Sequence, residues 1–180
     1  MAEKITIEEL LARNKTVMAS HKPEPTFQFL AENQIAVAKT LVVACADPRS
    51  DPSYILGLNF GEAGILRNVG GQVKPLLNDI LALDNLITFK QVMVIHHTDC
   101  GSTHFTNEQV RGVLTQRDAR AAAEMEVESV DFGAVSDLPN SVVRDIKFLK
   151  ESKLVREELK ENIKGYLYDI EKGRLEEISG

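Results

Sequence analysis

Short apolar runs that alternate with helical periodicities constrain the fold of this chain more than any other feature. Residues 41–46, 65–69 and 91–97 are short, apolar and partly β-branched, which predicts buried strands. Residues 75–89 instead repeat apolar side chains at i, i+3 and i+4 after a proline, which predicts a helix. Further helical patterns cover residues 26–32, 107–128 and 139–149. Strands that alternate with helices predict an α/β fold with a mostly parallel central sheet flanked by helices.

The two ends of the chain depart from this alternation. Residues 7–20 have helical spacing, with Thr6 as N-cap and Glu9 three residues later, and their apolar face has no evident partner in the chain. We therefore expect residues 1–35 to form an N-terminal helical arm that packs on a partner subunit. Residues 163–178 contain two apolar runs around Glu171-Lys172-Gly173, which predicts a C-terminal β-hairpin. At 180 residues without internal repeats, residues 1–180 are expected to be one domain.

Charge and hydrophobicity exclude several functional classes. With 43% hydrophobic and 27% charged residues, the composition is typical of a globular protein. A net charge of -6 argues against nucleic acid as a partner. No apolar run approaches the roughly 18 residues of a membrane span, and residues 1–9 lack the apolar core of a signal peptide. We expect a cytoplasmic protein with no membrane partner, in which a stable disulfide is not expected.

Both cysteines of the chain lie where predicted strands end. Cys45 closes the run at 41–44, and Cys100 follows the run at 91–97 by three residues. Ligands of such sheets bind beyond the carboxyl ends of the strands, so Cys45, His97 and Cys100 are expected to meet there. Two thiolates and one imidazole form a set that binds Zn²⁺ and leaves a fourth position, which is the arrangement of a catalytic zinc.

Asp47 and Arg49 follow the first cysteine closely. They are two residues apart, so we expect them to face the same way, and an arginine fork can hold a carboxylate through two charge-assisted bonds. Asp47 can be a fourth zinc ligand, or it can accept a proton from zinc-bound water. While Arg49 holds Asp47, the fourth position stays free for water, whose pKa zinc lowers to about 7.

These residues resemble the motifs of one known family. Cys45-Ala46-Asp47-Pro48-Arg49 resembles the Cys-x-Asp-x-Arg motif of β-class carbonic anhydrases, and His97-Thr98-Asp99-Cys100-Gly101 resembles their His-x-x-Cys motif. Leu56-Gly57-Leu58, residues 65–71 and residues 165–175 are similar to further stretches of the family, in the same order. The resemblance runs from about residue 41 to the C-terminus.

The resemblance implies a function and the residues that perform it. Cys45, His97 and Cys100 bind zinc, Asp47 and Arg49 form the catalytic pair, and zinc-bound hydroxide attacks carbon dioxide to give bicarbonate. We assign Gly70, Gly71 and Gly101 to the substrate pocket, where backbone N–H groups could face the substrate. The family further implies a homodimer or a dimer of dimers, with N-terminal helices embracing a neighbour.

Several alternatives stay open. Two positions depart from the family's pattern: Pro48, and Gly64 in place of a histidine that is frequent there. Because of these departures, carbonyl sulfide hydrolysis stays open as the first alternative, and carbon disulfide hydrolysis as a less favoured one. A non-catalytic protein with a closed structural zinc would use Asp47 as fourth ligand. A redox dithiol is weaker, because the chain has no Cys-x-x-Cys.

Other polar residues near the motifs have plainer interpretations. His96 precedes a ligand on a strand, so it is expected to face the opposite side and pack there. Asp99 is interpreted as a local backbone cap, and His104 as a surface-loop histidine rather than a proton shuttle. Arg67 either pairs with a carboxylate in the core or lies at an interface.

Overall fold

A computed structural model describes residues 5–179. The chain divides into two compact units, Met1–Ala36 and Val37–Gly180. The assignment of residues 1–180 to one domain with an arm at 1–35 stays a prediction.

The described part of the first unit, residues 5–36, contains two helices, α1 (Ile7–Met18) and α2 (Phe27–Glu32). Thr6 caps α1 as predicted: its hydroxyl accepts from the N–H of Glu9, and the Glu9 carboxylate accepts from the N–H of Thr6. Neither helix has a buried residue. On α1, the apolar residues recur at helical spacing along one exposed stripe. These residues are Ile7, Leu10, Leu11, Val17 and Met18.

Over residues 37–179, the second unit contains five strands and six α-helices of four or more residues. The strands are β1 (Thr40–Cys45), β2 (Gly64–Asn68), β3 (Gln91–His97), β4 (Ile163–Asp169) and β5 (Arg174–Ile178). The helices are α3 (Pro52–Ile55), α4 (Leu77–Ile87), α5 (Asn107–Arg117), α6 (Ala119–Glu124), α7 (Leu138–Glu151) and α8 (Glu157–Lys160).

The five strands form one sheet in the order β2-β1-β3-β4-β5. The first four are parallel to their neighbours, and β5 runs antiparallel to β4 as the second strand of the C-terminal hairpin. The predicted α/β class, the mostly parallel sheet and the hairpin are thus confirmed. In this order β1 and β3 are central neighbours, so their carboxyl ends meet.

Alternating side chains of β1 divide the core between the two faces of the sheet. Leu41 and Val43 face the larger cluster, which includes Ile80 of α4 and Ile146 of α7. Val42 and Ala44 face a smaller cluster that α3 helps to cover. Because β1 is covered on both faces, it is a continuous apolar run in the sequence.

Two predicted helices are shorter than expected. The pattern at 107–128 is interrupted at Asp118, whose extended backbone ends α5 and whose side chain caps α6. The pattern at 75–89 begins with a 3₁₀ turn at Lys74–Leu76, and the α-helix ends at Thr88, which has a left-handed conformation. The short helices α3 and α8 give only one turn each and were not predicted.

Within residues 5–179, no helix combines the length and apolar character that crossing a bilayer would require.

Candidate metal centre

The carboxyl ends of β1 and β3 bring both cysteines and one histidine together. Cys45 ends β1, His97 ends the adjacent β3, and Cys100 lies three residues further on. One potential ligand atom of each residue lies within 4.8 Å of the other two. All three residues are at most 5% exposed. The structure therefore assembles the three residues that the sequence placed at strand ends, while their binding of a metal stays a prediction.

The spacing of the two sulfur atoms fits a tetrahedral zinc ion. The Sγ atoms of Cys45 and Cys100 are 3.7 Å apart, and both cysteines are free. A disulfide would need about 2.0 Å. Two sulfurs that each lie about 2.3 Å from one zinc, at a tetrahedral angle, are separated by about 3.8 Å. The pair is thus spaced for a shared metal rather than for a covalent bond.

His97 has a buried nitrogen without a hydrogen-bond partner. Its Nδ1 lies 2.9 Å from the carbonyl oxygen of Thr98 and donates to it, because a carbonyl only accepts. The lone pair is then on Nε2, which is buried and, among residues 5–179, has no partner of hydrogen-bond geometry. Burying an unpaired polar atom is costly, so such an atom needs an explanation. A metal ion bound to Nε2 supplies one.

The hydrogen bond between the two cysteine side chains shifts their pKa values in opposite directions. The pKa of Cys100 is well below its usual range, first because its sulfur accepts from the Cys45 thiol and further because His97 and the Ser102 hydroxyl lie against it. The pKa of Cys45 is raised by the same bond and by burial. Burial lowers the pKa of His97, but the neighbouring Cys100 sulfur and Asp47 carboxylate outweigh it, so this pKa is raised. The cluster therefore attracts positive charge, which a divalent cation satisfies.

Asp47 and Arg49 form the pair that the sequence suggested. Nε of Arg49 donates to both carboxylate oxygens of Asp47, at 3.1 and 3.2 Å, and Nη2 donates to Oδ2 at 2.7 Å. The backbone N–H of Arg49 also donates to Oδ1 at 2.9 Å. These donors lower the pKa of Asp47 to about 2. Oδ2 of Asp47 is only 3.9 Å from Nε2 of His97, so the carboxylate borders the ligand cluster.

Asp99 contacts Arg49 from the other side, which the sequence analysis missed. Nη1 of Arg49 donates to Oδ2 of Asp99 at 2.8 Å, and Nη2 donates to the Asp99 carbonyl at 2.9 Å. His104 lies 3.2 Å from Oδ1 of Asp99. The interpretation of Asp99 as a mere local cap is therefore incomplete. Its position between His97 and Cys100 in the sequence could have indicated that Asp99 lies near Arg49.

Arg67 contacts the backbone of the loop that carries Asp47 and Arg49. It donates to the carbonyl of Cys45 at 2.9 Å and to that of Asp47 at 2.8 Å, and it forms an ion pair with Asp51. Its carboxylate partner among residues 5–179 is Asp51, whose side chain is 37% exposed and so lies outside the core, while a place of Arg67 at an interface stays a prediction. Arg67 thus fixes the backbone on either side of Ala46.

The three glycines assigned to the substrate pocket have different surroundings. Gly70 and Gly71 are buried and have φ of 74° and 69°, a left-handed conformation that favours glycine. A Cβ on Gly71 would lie 2.8 Å from the Cys45 nitrogen, so its first role is close backbone packing. Gly101 is exposed, and a Cβ there would meet nothing within 4 Å. Their contact with a substrate stays a prediction.

His96 faces away from the ligand cluster, as predicted. Nδ1 of His96 lies 2.6 Å from the hydroxyl oxygen of Ser141, and the Ser141 hydroxyl is also within hydrogen-bond distance of the Leu138 carbonyl. Nε2 of His96 lies 3.0 Å from Oδ2 of Asp145. This buried cluster ties α7 to the strand that ends in His97.

Comparisons with known sequences agree with the motifs. The sequence profile of the carbonic anhydrase family matches residues 40–175. The chain is 27% identical over 139 residues to β-carbonic anhydrase 1 of Mycobacterium bovis, a match covering 77% of this chain and 80% of the relative. It is also 24% identical over 155 residues to the carbon disulfide hydrolase of Acidianus sp., covering 74% of each.

Solved structures give a similar result. The carbonic anhydrase from Glaciozyma antarctica has a TM-score of 0.78 at 30% identity, covering 99% of this chain and 98% of that one. The carbonic anhydrase from Streptococcus mutans has a TM-score of 0.77 at 28% identity, covering 99% and 100%.

Proposed function

The chain belongs to the β-carbonic anhydrase family, and on that premise we propose that it catalyses the reversible hydration of carbon dioxide to bicarbonate with zinc as cofactor. In this proposal Cys45, His97 and Cys100 bind the metal, and Asp47 and Arg49 serve the reaction. The observation that carries it is the unpartnered Nε2 of His97 beside two free sulfurs spaced at 3.7 Å.

The chain's own residues prepare the site for the ion. Thiolates bind zinc, and both sulfurs receive hydrogen bonds that favour the thiolate: from the Asp47 N–H to Cys45 at 3.5 Å, and from the Ser102 hydroxyl to Cys100 at 3.1 Å. Histidine binds as neutral imidazole, and the bond from Nδ1 of His97 fixes the tautomer that presents Nε2. When bound, zinc supplies Lewis acidity that lowers the pKa of water to about 7 and makes hydroxide available at neutral pH.

Asp47 acts as an orienting acceptor rather than as the final base. A carboxylate with a pKa of about 2 is ionised at neutral pH, can only accept hydrogen bonds and holds a transferred proton poorly. It therefore receives a hydrogen bond from the attacking hydroxide and directs a lone pair of that hydroxide towards the carbon of carbon dioxide. The proton released with bicarbonate leaves to solvent.

Arg49 supports an open site over a closed structural one. It engages both carboxylate oxygens of Asp47, so Asp47 is not free to become the fourth ligand that a closed site requires. This favours the catalytic alternative over the non-catalytic one.

A second candidate is hydrolysis of a sulfur analogue by the same attack. Carbonyl sulfide would give hydrogen sulfide and carbon dioxide. Similarity over 74% of the chain to a protein named carbon disulfide hydrolase is the observation that keeps this substrate class. Both substrate types are small and linear, so the ligand set does not separate them.

The proposal extends to assembly and location. The exposed apolar stripe on α1 supports a homodimer or a dimer of dimers in which this helix packs on a neighbour. Metal binding needs both thiols reduced, which supports a cytoplasmic location.

The decisive assay compares the substrates on one preparation. Zinc-loaded protein is tested in stopped flow with carbon dioxide, and by sulfide release with carbonyl sulfide and carbon disulfide. Cys45→Ser serves as the ligand-deficient control. Carbon dioxide hydration that is lost in Cys45→Ser supports the proposal. Sulfide release with no carbon dioxide hydration moves the function to the second candidate, and inactivity on all three substrates contradicts both.

A further inference from the structure

Arg49 is held from two sides by two different carboxylates. Nε and Nη2 donate hydrogen bonds to the carboxylate of Asp47. Nη1 donates to the carboxylate of Asp99, and Nη2 also donates to the Asp99 carbonyl. Asp99 in turn divides its oxygens, because Oδ2 accepts from Arg49 while Oδ1 faces His104 at 3.2 Å. These contacts form one continuous polar chain, Asp47–Arg49–Asp99–His104.

The backbone of Asp99 is shaped for this contact. Its φ is +51°, in the left-handed region that residues other than glycine seldom adopt, although aspartate tolerates it better than most. In this conformation both the side chain and the carbonyl of Asp99 reach the same guanidinium. Unfavourable backbone conformations persist where several surrounding contacts enforce them, and they cluster at functional sites.

A single partner would hold Arg49 weakly. The Arg49 side chain is 48% exposed, and an exposed ion pair with one partner is screened by solvent and mobile. The position matters because Oδ2 of Asp47 is 3.9 Å from Nε2 of His97. A carboxylate released by Arg49 beside two thiolates and an imidazole is itself a zinc ligand. Release of Arg49 would therefore let Asp47 close the fourth position.

We propose that Asp99, steadied by His104, is a positioning residue that keeps Arg49 on Asp47 and so keeps the fourth metal position open. The inference rests on the proposed function for metal binding by Cys45, His97 and Cys100 and for its consequence for turnover. The arrangement of Asp47 relative to the metal is measurable without substrate.

The test uses the full chain loaded with Co²⁺, whose visible absorption reports the ligands around the metal. Asp99→Asn keeps the shape and the tolerance for positive φ but removes the charge. We expect its cobalt spectrum to shift from that of the unaltered protein, and the shift to vanish in Asp47→Ala/Asp99→Asn, whose spectrum should match Asp47→Ala alone. Glu108→Gln, which removes an exposed partner of Arg111 outside the site, is the matched control and should leave the spectrum unchanged.

Two outcomes would overturn the proposal for Asp99. One is a spectrum of Asp99→Asn identical to that of the unaltered protein. The other is a shift that persists in the double variant, because the change would then not pass through Asp47.

His104 is tested separately. His104→Ala should shift the cobalt spectrum in the same direction as Asp99→Asn but less far, and His104→Gln, which can still donate to Asp99, should restore it. No shift in His104→Ala removes His104 from the proposal.

Turnover distinguishes this inference from the proposed function. If the unaltered protein hydrates carbon dioxide, kcat of Asp99→Asn should fall at least about tenfold, because displacing a group that orients a reactant by about 1 Å can cost about 10²-fold. If the unaltered protein is inactive while the cobalt shifts occur as expected, the positioning role stands and the proposed function fails.

Discussion

Gly71→Ala tests how tightly the loop after β2 packs against the strands that carry the ligands. Gly71 has φ of +69°, and a Cβ there would lie 2.8 Å from the nitrogen of Cys45, 2.9 Å from the carbonyl carbon of Ala44 and 3.0 Å from the carbonyl oxygen of Ile95. All three are backbone atoms of β1 and β3, the strands that end in Cys45 and His97. They cannot rotate away as a side chain can, so the strands must shift.

Two effects determine how much Gly71→Ala lowers the free energy of unfolding. Placing alanine in a left-handed conformation costs about 1–2 kcal/mol. Forcing extra volume into a packed region costs about 1–3 kcal/mol more. We therefore expect Gly71→Ala to lower the free energy of unfolding by about 2–5 kcal/mol in total. The reduced entropy of the unfolded chain offsets a little of this, by the same amount at any glycine.

Two other glycines separate the effects. Gly57 has φ of +62° with nothing within 4 Å of a Cβ, so Gly57→Ala should cost only the conformational part, about 1–2 kcal/mol. Gly101 has neither a positive φ nor a close neighbour, so Gly101→Ala should stay within about 0.5 kcal/mol of the unaltered protein.

The assay is urea unfolding followed by circular dichroism, on reduced and metal-free protein at one concentration. Zinc affinity is then measured by competition with a chromophoric chelator, and only Gly71→Ala should bind zinc more weakly. Equal losses of stability in Gly71→Ala and Gly57→Ala would refute the reasoning, because the close approach to β1 and β3 would then carry no cost.

Three further predictions concern the catalytic pair and the assembly. Asp47→Ala and Arg49→Ala should retain zinc but lose about 10²-fold or more in kcat; loss of zinc from Asp47→Ala, measured by elemental analysis, would instead make Asp47 a ligand. Turnover should fall on the acid side with a midpoint near the pKa of about 7 expected for the nucleophile. Because its pKa is lowered, Asp47 stays ionised and bound to Arg49 until the pH falls from about 4 towards 2. Arg49→Lys should therefore lower the rate without moving the midpoint at about 7. A moved midpoint would mean that the Asp47–Arg49 pair sets the pH dependence. Deletion of residues 1–20 should reduce the oligomer mass in light scattering; an unchanged mass and melting temperature would remove α1 from the interface.

The strands and the meeting of Cys45, His97 and Cys100 at one sheet edge were predictable because their signals are local. A run such as residues 41–46 needs only its own composition to indicate a buried strand, and parallel strands place their ends at one edge. Cys45, His97 and Cys100 follow from that alone. The break at Asp118 was harder, because no glycine or proline marks it. The signal is an aspartate that caps the next helix, within an otherwise helical pattern.

The contacts of Arg49 and Arg67 could not be predicted in the same way. Arg49 reaches Asp99, 50 residues later in the chain, and the contact depends on the register that sets Ala44 opposite Ile95. Arg67 reaches back to Cys45 and Asp47 across the pairing of β1 with β2. Strand order and register arise from packing of the whole sheet, which one sequence does not reveal.

The central claim is that two sulfurs and one nitrogen of this chain bind zinc. X-ray absorption at the zinc edge on the purified protein, with elemental analysis, tests it most directly. We predict one zinc per chain with two sulfur neighbours at about 2.3 Å and nitrogen or oxygen neighbours at about 2.0–2.1 Å. Cys45→Ser should reduce the sulfur count to one or release the metal. A zinc shell without sulfur, or catalytic activity in protein that contains no metal, would contradict the account.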